Sequence, residues 1–180
     1  MAQNPTGIKP LIGLAGLMGA GKDTVAAWFG TMWGYRRIAF ADPLRIVIRD
    51  WFPDQSRNRR LYQALGDWAR SIRPTVFLDW VERRIRDGGP WIVTDIRFPV
   101  EAQWVKDHGG LLIGVDAPEA VRFARVAARD GASGLTGQSH ASEQQWNQIA
   151  PLCDVVIHND GTLEDLEQAL RGVVARLMGS

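Results

Sequence analysis

The 180-residue chain has one cysteine, Cys153, so it can form no internal disulfide, and a lone thiol fits a reducing compartment. Lysine is nearly absent: of 21 basic residues, only Lys9, Lys22 and Lys106 are not arginine. An excess of one charge is also missing, because 20 acidic residues leave a net charge of +1. That argues against a partner recognised by bulk charge, so no nucleic acid is expected. No apolar run approaches the ~20 residues that span a bilayer, so no membrane partner is expected either. The opening MAQNPTGIKP lacks the basic, apolar and small-residue order of an export signal, which leads to the expectation of a cytoplasmic protein.

Hydrophobic residues make up 46% of the chain and charged residues 23%, the balance of an ordinary globule. The length suits a single domain over residues 1–180. Arginine is the better bidentate partner for phosphate. A coding bias toward arginine would explain the total equally well, so individual positions must carry the reasoning.

Short apolar runs at Lys9–Gly16, Tyr35–Phe40, Trp91–Thr94, Leu111–Val115 and Val155–His158 read as five strands. Helical patterns fall at Lys22–Trp33, from Pro43 toward Trp51 with Asp42 as N-cap, and at Ser56–Ser71 and Thr75–Arg86. Further helices are expected over Val100–Asp107, Pro118–Arg129 and Thr162–Met178, with Gly131–His140 as a loop. Strands apolar throughout, alternating with helices, predict a parallel sheet covered on both faces. The eight tryptophans mostly fall at core-compatible helix positions.

The strongest local signal is Gly16-Leu-Met-Gly19-Ala20-Gly21-Lys22-Asp23-Thr24, a G-x-x-x-x-G-K pattern between a strand and a helix. Glycines let successive N–H groups converge on phosphate oxygens, and the helix N-terminus adds partial positive charge. Lys22 would reach the β- and γ-phosphates. The position after the lysine usually holds Ser or Thr for Mg²⁺; here it is Asp23, with Thr24 next. Asp23 would either hold the metal, directly or through water, or act near the transferred group, and both readings stand. Asp95, at the end of the third strand, would point into the ligand crevice and orient Mg²⁺-bound water or the attacking oxygen, or else cap the next helix.

With these residues in place, the chain resembles the deoxynucleoside monophosphate kinases of tailed phages and some bacteria, within the P-loop nucleoside monophosphate kinases. The resemblance rests on GAGKDT (Gly19–Thr24), FADPLR (Phe40–Arg45), RRLYQALG (Arg59–Gly66), VTDIRFPVEA (Val93–Ala102), HASE (His140–Glu143) and HNDGTLEDL (His158–Leu166). It implies a three-layer α/β fold with a five-stranded parallel sheet. It also implies a monophosphate-binding helical segment at about residues 42–88 and a lid at about 118–145. The implied reaction moves the γ-phosphoryl of ATP to a nucleoside 5′-monophosphate with Mg²⁺, in the host cytoplasm if the source is a phage.

Helix geometry adds candidates. Arg60, Gln63, Asp67 and Arg70 fall three and four apart and share a polar front, with Leu61, Leu65 and Trp68 on an apolar back. Arg60 or Arg70 would bind the acceptor phosphate and Gln63 a base edge. Arg122, Arg125 and Arg129 form a like-charged stripe that polyphosphate would relieve, with Arg125 and Arg129 ahead of Arg122. Arg97 would stand beside the acceptor phosphate, Asp42 and Arg45 at the edge of its site, and Asn159 to Gly161 near adenine. His140 and Glu143 would latch the lid. Tryptophan-bearing helix faces suit a homodimer. Two other readings compete: a P-loop kinase of another metabolite, of dephospho-coenzyme A or phosphomevalonate type, and a non-catalytic nucleotide-binding regulator. The second lacks support, since Asp95-Ile-Arg-Phe98 is not the Asp-x-x-Gly of a GTPase.

Overall fold

The computed structural model describes residues 10–56, 58–130 and 140–178. Five strands make one parallel sheet: β1 (Leu11–Ala15), β2 (Arg36–Ile38), β3 (Trp91–Ile96), β4 (Leu111–Asp116) and β5 (Val155–His158). Their spatial order is β2-β3-β1-β4-β5. Eight α-helices accompany them among the described residues: α1 (Lys22–Trp33), α2 (Asp42–Trp51), α3 (Arg59–Ile72), α4 (Val76–Ile85), α5 (Pro99–Asp107), α6 (Glu119–Asp130), α7 (His140–Ile149) and α8 (Leu163–Met178). The five strands and the flanking helical layers match expectation. Helix α7 does not, because HASEQQWNQI carries too few apolar residues to show a stripe.

The alternation of side chains along each strand builds two cores. Ile12, Leu14, Ile113 and Val115 pack with Val25, Phe29 and Leu170 of α1 and α8. Leu11, Ala15, Val93 and Leu112 pack with Val81, Ala102, Val105 and Ile149 of α4, α5 and α7. Central strands buried on both faces have no polar side to show, which is why β1 reads LIGLA. Each fully buried Leu or Ile contributes roughly 1.5–3 kcal/mol of transfer free energy.

The β1–β3 ladder contains one irregularity that matters for function. Gly13 pairs with Val93, yet Ala15 pairs with Ile96, so β3 spends three residues where β1 spends two. The extra residue lies at Thr94–Asp95. A bulge of this kind re-aims a side chain and increases local twist. Asp95 therefore sits inside the strand and not beyond it, and the strand runs two residues further than its apolar run.

Several sequence expectations need correction. Asp42 is the first residue of α2, with Ala41 at the N-cap, and its carboxylate instead accepts the N–H of Ala39 at 2.8 Å. The apolar back assigned to α3 is rotated. Trp68 is 63% and Ile72 67% exposed, while Gly66 is buried against Leu44 of α2. A glycine lets the α3 backbone approach α2 closely, so the inner face is marked by small residues and not by Trp68. Rotation carries Arg70 off the polar front: its guanidinium lies between the rings of Phe77 and Phe98. Trp51 is likewise exposed, while Trp28 and Trp104 are buried.

Urea unfolding separates the two kinds of aromatic. Phe29→Ala, which empties a fully buried site ringed by Trp28, Trp33 and Tyr35, should cost about 3–5 kcal/mol. Trp68→Ala should fall within about 0.5 kcal/mol of the parent.

Candidate functional site

Buried polar side chains locate the site. Among the described residues they are Thr94, Asp95, Glu101, Arg122 and Asn159. Thr94 and Asp95 lie near the end of β3, Glu101 and Arg122 are in the first turns of α5 and α6, and Asn159 follows β5. All five stand at the carboxyl edge of the sheet, where parallel α/β folds bind ligands. Burying polar groups is costly unless each is engaged, so their concentration at one edge marks a built polar centre.

The segment between β1 and α1 bends against backbone from two other elements. Gly16 has φ +143°, and a Cβ there would lie 2.1 Å from the Val115 carbonyl oxygen. A Cβ at Gly19, which has φ +83°, would lie 2.5 Å from the Arg122 carbonyl oxygen. Gly21 is the left-handed N-cap of α1 and offers no side-chain cap, which leaves the first-turn N–H groups of α1 to an external acceptor. Lys22 folds back over this bend, its ammonium donating to Gly16 O at 2.7 Å and Leu17 O at 3.0 Å. Burial, then the nearby Arg97 guanidinium, lowers its pKa to about 8. A close-approach backbone, an uncapped helix N-terminus and a half-buried ammonium together fit a chain of phosphate groups.

Asn159 ties this bend to the outer helices. Its amide nitrogen donates to Ala20 O at 2.8 Å, and its backbone N–H to Asp116 O at 2.7 Å. Arg125 donates to Asn159 O at 2.9 Å and reaches Oδ1 at 3.4 Å. Arg122 is buried and donates to Ala117 O, so it is a strut beneath the bend, and Arg129 is exposed. The stripe of three arginines thus divides by depth. Gly161 abuts the carboxylate of Asp165, which accepts from Thr162 at the start of α8. The expected lid loop lies outside the described residues over 131–139, as do the side chains of His140 and Glu143 on α7.

Asp95 uses both oxygens to hold the chain after β2, accepting Phe40 N–H at 2.7 Å and Ala41 N–H at 2.9 Å. Beyond it a cleft of about 610 Å³ opens among α2, α3 and α4. Asp42 and Arg45 line it, whereas Arg60, Gln63 and Arg70 do not. Arg37, Arg49 and Arg84 line it too, and were not singled out from the sequence. The spacing of Arg45 to Arg49, and of Trp80 to Arg84, was the available signal: both pairs are i,i+4. Arg84 lies 3.6 Å over the Trp80 ring. Asp42 Oδ1 takes Arg45 at 2.5 Å and Arg37 at 3.3 Å.

No group of three His, Cys, Asp or Glu side chains able to hold a metal occurs among the described residues. Asp23 and Thr24 are exposed on the first turn of α1, beside the bend. That donor set fits an ion that keeps most ligands from water and phosphate, as Mg²⁺ does, and not an all-protein cage.

No family model matches the chain. A protein of Thermus thermophilus named "Dephospho-CoA kinase" is 31% identical over 94% of this chain and 92% of its own length. A protein of Acanthamoeba polyphaga mimivirus named "Putative deoxynucleotide monophosphate kinase" is 27% identical over 86% of this chain and 91% of its own. Among solved structures, shikimate kinase from Acinetobacter baumannii shares the fold at 16% identity with a TM-score of 0.62, over 96% of this chain and 95% of that one.

The Lys22 ammonium makes a titration prediction for the unliganded protein. Its folded pKa of about 8 lies below the ordinary 10.5, so the folded state gives up this proton first. Stability should therefore rise relative to Lys22→Met as pH climbs from about 8 to 10.5, by at most about 3 kcal/mol. Denaturant unfolding of both proteins across that range measures it.

Proposed function

The chain belongs to the P-loop kinases, and from that premise we propose that it transfers the γ-phosphoryl of ATP to a (deoxy)nucleoside 5′-monophosphate, giving the diphosphate and ADP. The bend at Gly16, Gly19, Ala20 and Gly21 cradles the donor phosphates, with Lys22 against the β- and γ-oxygens. Mg²⁺ would be held by Asp23 and Thr24 together with phosphate oxygens, and when bound it neutralises charge on the transferred group. Arg97, Arg125 and Arg129 supply the remaining positive charge. Arg125 leaves Asn159 for phosphate when the lid at about 118–145 closes over ATP. Asn159 and Gly161 border the adenine.

The acceptor occupies the arginine-walled cleft of the segment at about 42–88, its phosphate facing Lys22 and Arg97. One observation carries the choice of acceptor. Both carboxylates beside the cleft are engaged: Asp42 with two guanidinium groups and the Ala39 N–H, Asp95 with two backbone N–H groups. An alcohol acceptor needs a carboxylate oxygen free to take its proton. A phosphate acceptor is already ionised and needs only positioning, which arginines provide. Asp42 then serves to orient Arg37 and Arg45.

The Thermus relative's name favours a second reading, in which a hydroxyl of dephospho-coenzyme A is the acceptor. A panel of deoxynucleoside monophosphates and dephospho-coenzyme A, each with Mg²⁺ and ATP, separates the two. We expect diphosphate products and no turnover of dephospho-coenzyme A. No product from any monophosphate would remove the first reading. Asp42→Asn adds an independent arm. With a phosphate acceptor kcat should drop less than about 10-fold, with the larger change in acceptor KM; a base role predicts losses of about 10²–10⁴ in kcat.

A further inference from the structure

Glu101 is a buried carboxylate at the sheet edge to which the reaction above gives no task. Its side chain is 4% exposed. A single oxygen, Oε2, accepts the N–H of Arg97 at 2.7 Å and of Phe98 at 3.1 Å. These amides belong to the turn that joins the bulged end of β3 to α5. Pro99 opens α5 and has no N–H, and Phe98 at the N-cap has no side-chain acceptor, so the turn's own side chains leave the Arg97 and Phe98 amides without an acceptor. Glu101 supplies the missing acceptor from the first turn of the helix.

The turn carries Arg97, whose guanidinium is close enough to Lys22 to weaken its hold on a proton. We infer that Glu101 is a positioning residue: by holding the Arg97 and Phe98 amides it aims Arg97 at the phosphoryl groups beside Lys22, and its proton occupancy gates transfer. The inference rests on the phosphotransferase reading of the site, but not on which monophosphate is the acceptor.

The charges around Glu101 give the gate its direction. Burial is the largest influence and, with the neighbouring Asp95 of β3, raises its pKa to about 7; the two amides and Arg70 of α3 pull the other way. Of the other elements packed on α5, β1 is wholly apolar, β4 carries only Asp116 at its far end, and α7 adds Trp146 and Ile149 to the shared core. The ionised carboxylate accepts the stronger hydrogen bonds. Protonation below about pH 7 therefore loosens the turn that carries Arg97.

Glu101→Gln keeps an acceptor oxygen but cannot titrate, so it stands for the protonated state at every pH. The ratio of wild-type to Glu101→Gln kcat, in which substrate ionisation cancels, should be near one at pH 5.5. It should climb roughly 10-fold to a plateau above pH 8, with KM for ATP unchanged. Glu101→Ala should lose about 10–100-fold in kcat. A flat ratio across this range overturns the gate, and a Glu101→Ala protein that folds and keeps wild-type kcat overturns the positioning role. If Glu101→Ala does not fold, the Gln ratio decides alone.

Amide chemical shifts in the unliganded protein give a readout independent of substrate. Arg97 and Phe98 should titrate together with a midpoint near 7, and this titration should vanish in Glu101→Gln. Amides that stay still between pH 5.5 and 8.5 contradict the inference even if the acceptor proves to be something else. A wild type inactive with every monophosphate, but with titrating amides, would instead discard the acceptor assignment alone.

Discussion

The contact between the Gly16–Gly21 bend and the carbonyls of neighbouring backbone is the constraint that organises this molecule. Gly16 lies against Val115 of β4, and Gly19 against Arg122 of α6. Neither approach leaves room for a side chain. Because backbone fills those positions, the bend is held from both flanks before any ligand arrives, and the α1 N-terminus points at a fixed spot. Preorganisation of this kind keeps binding energy from being spent on loop ordering. Lys22 completes the arrangement by donating to the bend's own carbonyls at Gly16 and Leu17.

Around that spot the protein places its charges by depth. Arg122 is buried and structural, Arg125 is half-buried and bonded to Asn159, and Arg129 is exposed. On the side of the cleft the same grading runs from buried Asp95 and Glu101 to half-buried Asp42 and then to the cleft arginines. The buried carboxylates hold backbone, while Arg37 and Arg45 at the cleft pair with Asp42. Asp42 and Asp95 are both engaged, so neither is a free base, and the proposed transfer between phosphates asks for none.

Much of this was legible in the sequence, for identifiable reasons. The five strands were visible because strands covered on both faces are apolar throughout, and α1 was delimited by Lys22 and Gly34, its C-cap. The glycine bend was visible because its chemistry is local. What required coordinates was anything set by the third dimension. Trp68 weighs heavily in an amphipathic reading, yet Gly66 decides which face of α3 turns inward. Asp95 was found as a residue, but its engagement with Phe40 and Ala41 depends on a bulge that no spacing rule reveals. Arg37, Arg49 and Arg84 converge from β2, α2 and α4, and so share no sequence window. Glu101 lay inside a quoted motif, but its burial could not be read there.

The central claim is that one rigid bend grips a donor phosphate chain while a separate arginine-walled cleft presents a second phosphate in line with it. Calorimetric titration with two nucleosides joined by five phosphates tests that geometry directly, because only a protein with both sites at the right separation gains from the linkage. We predict one molecule bound per chain, at least about 100-fold tighter than ATP, with the advantage lost in both Lys22→Ala and Arg45→Ala. Binding no tighter than ATP itself, or an advantage that survives Arg45→Ala, would contradict the account.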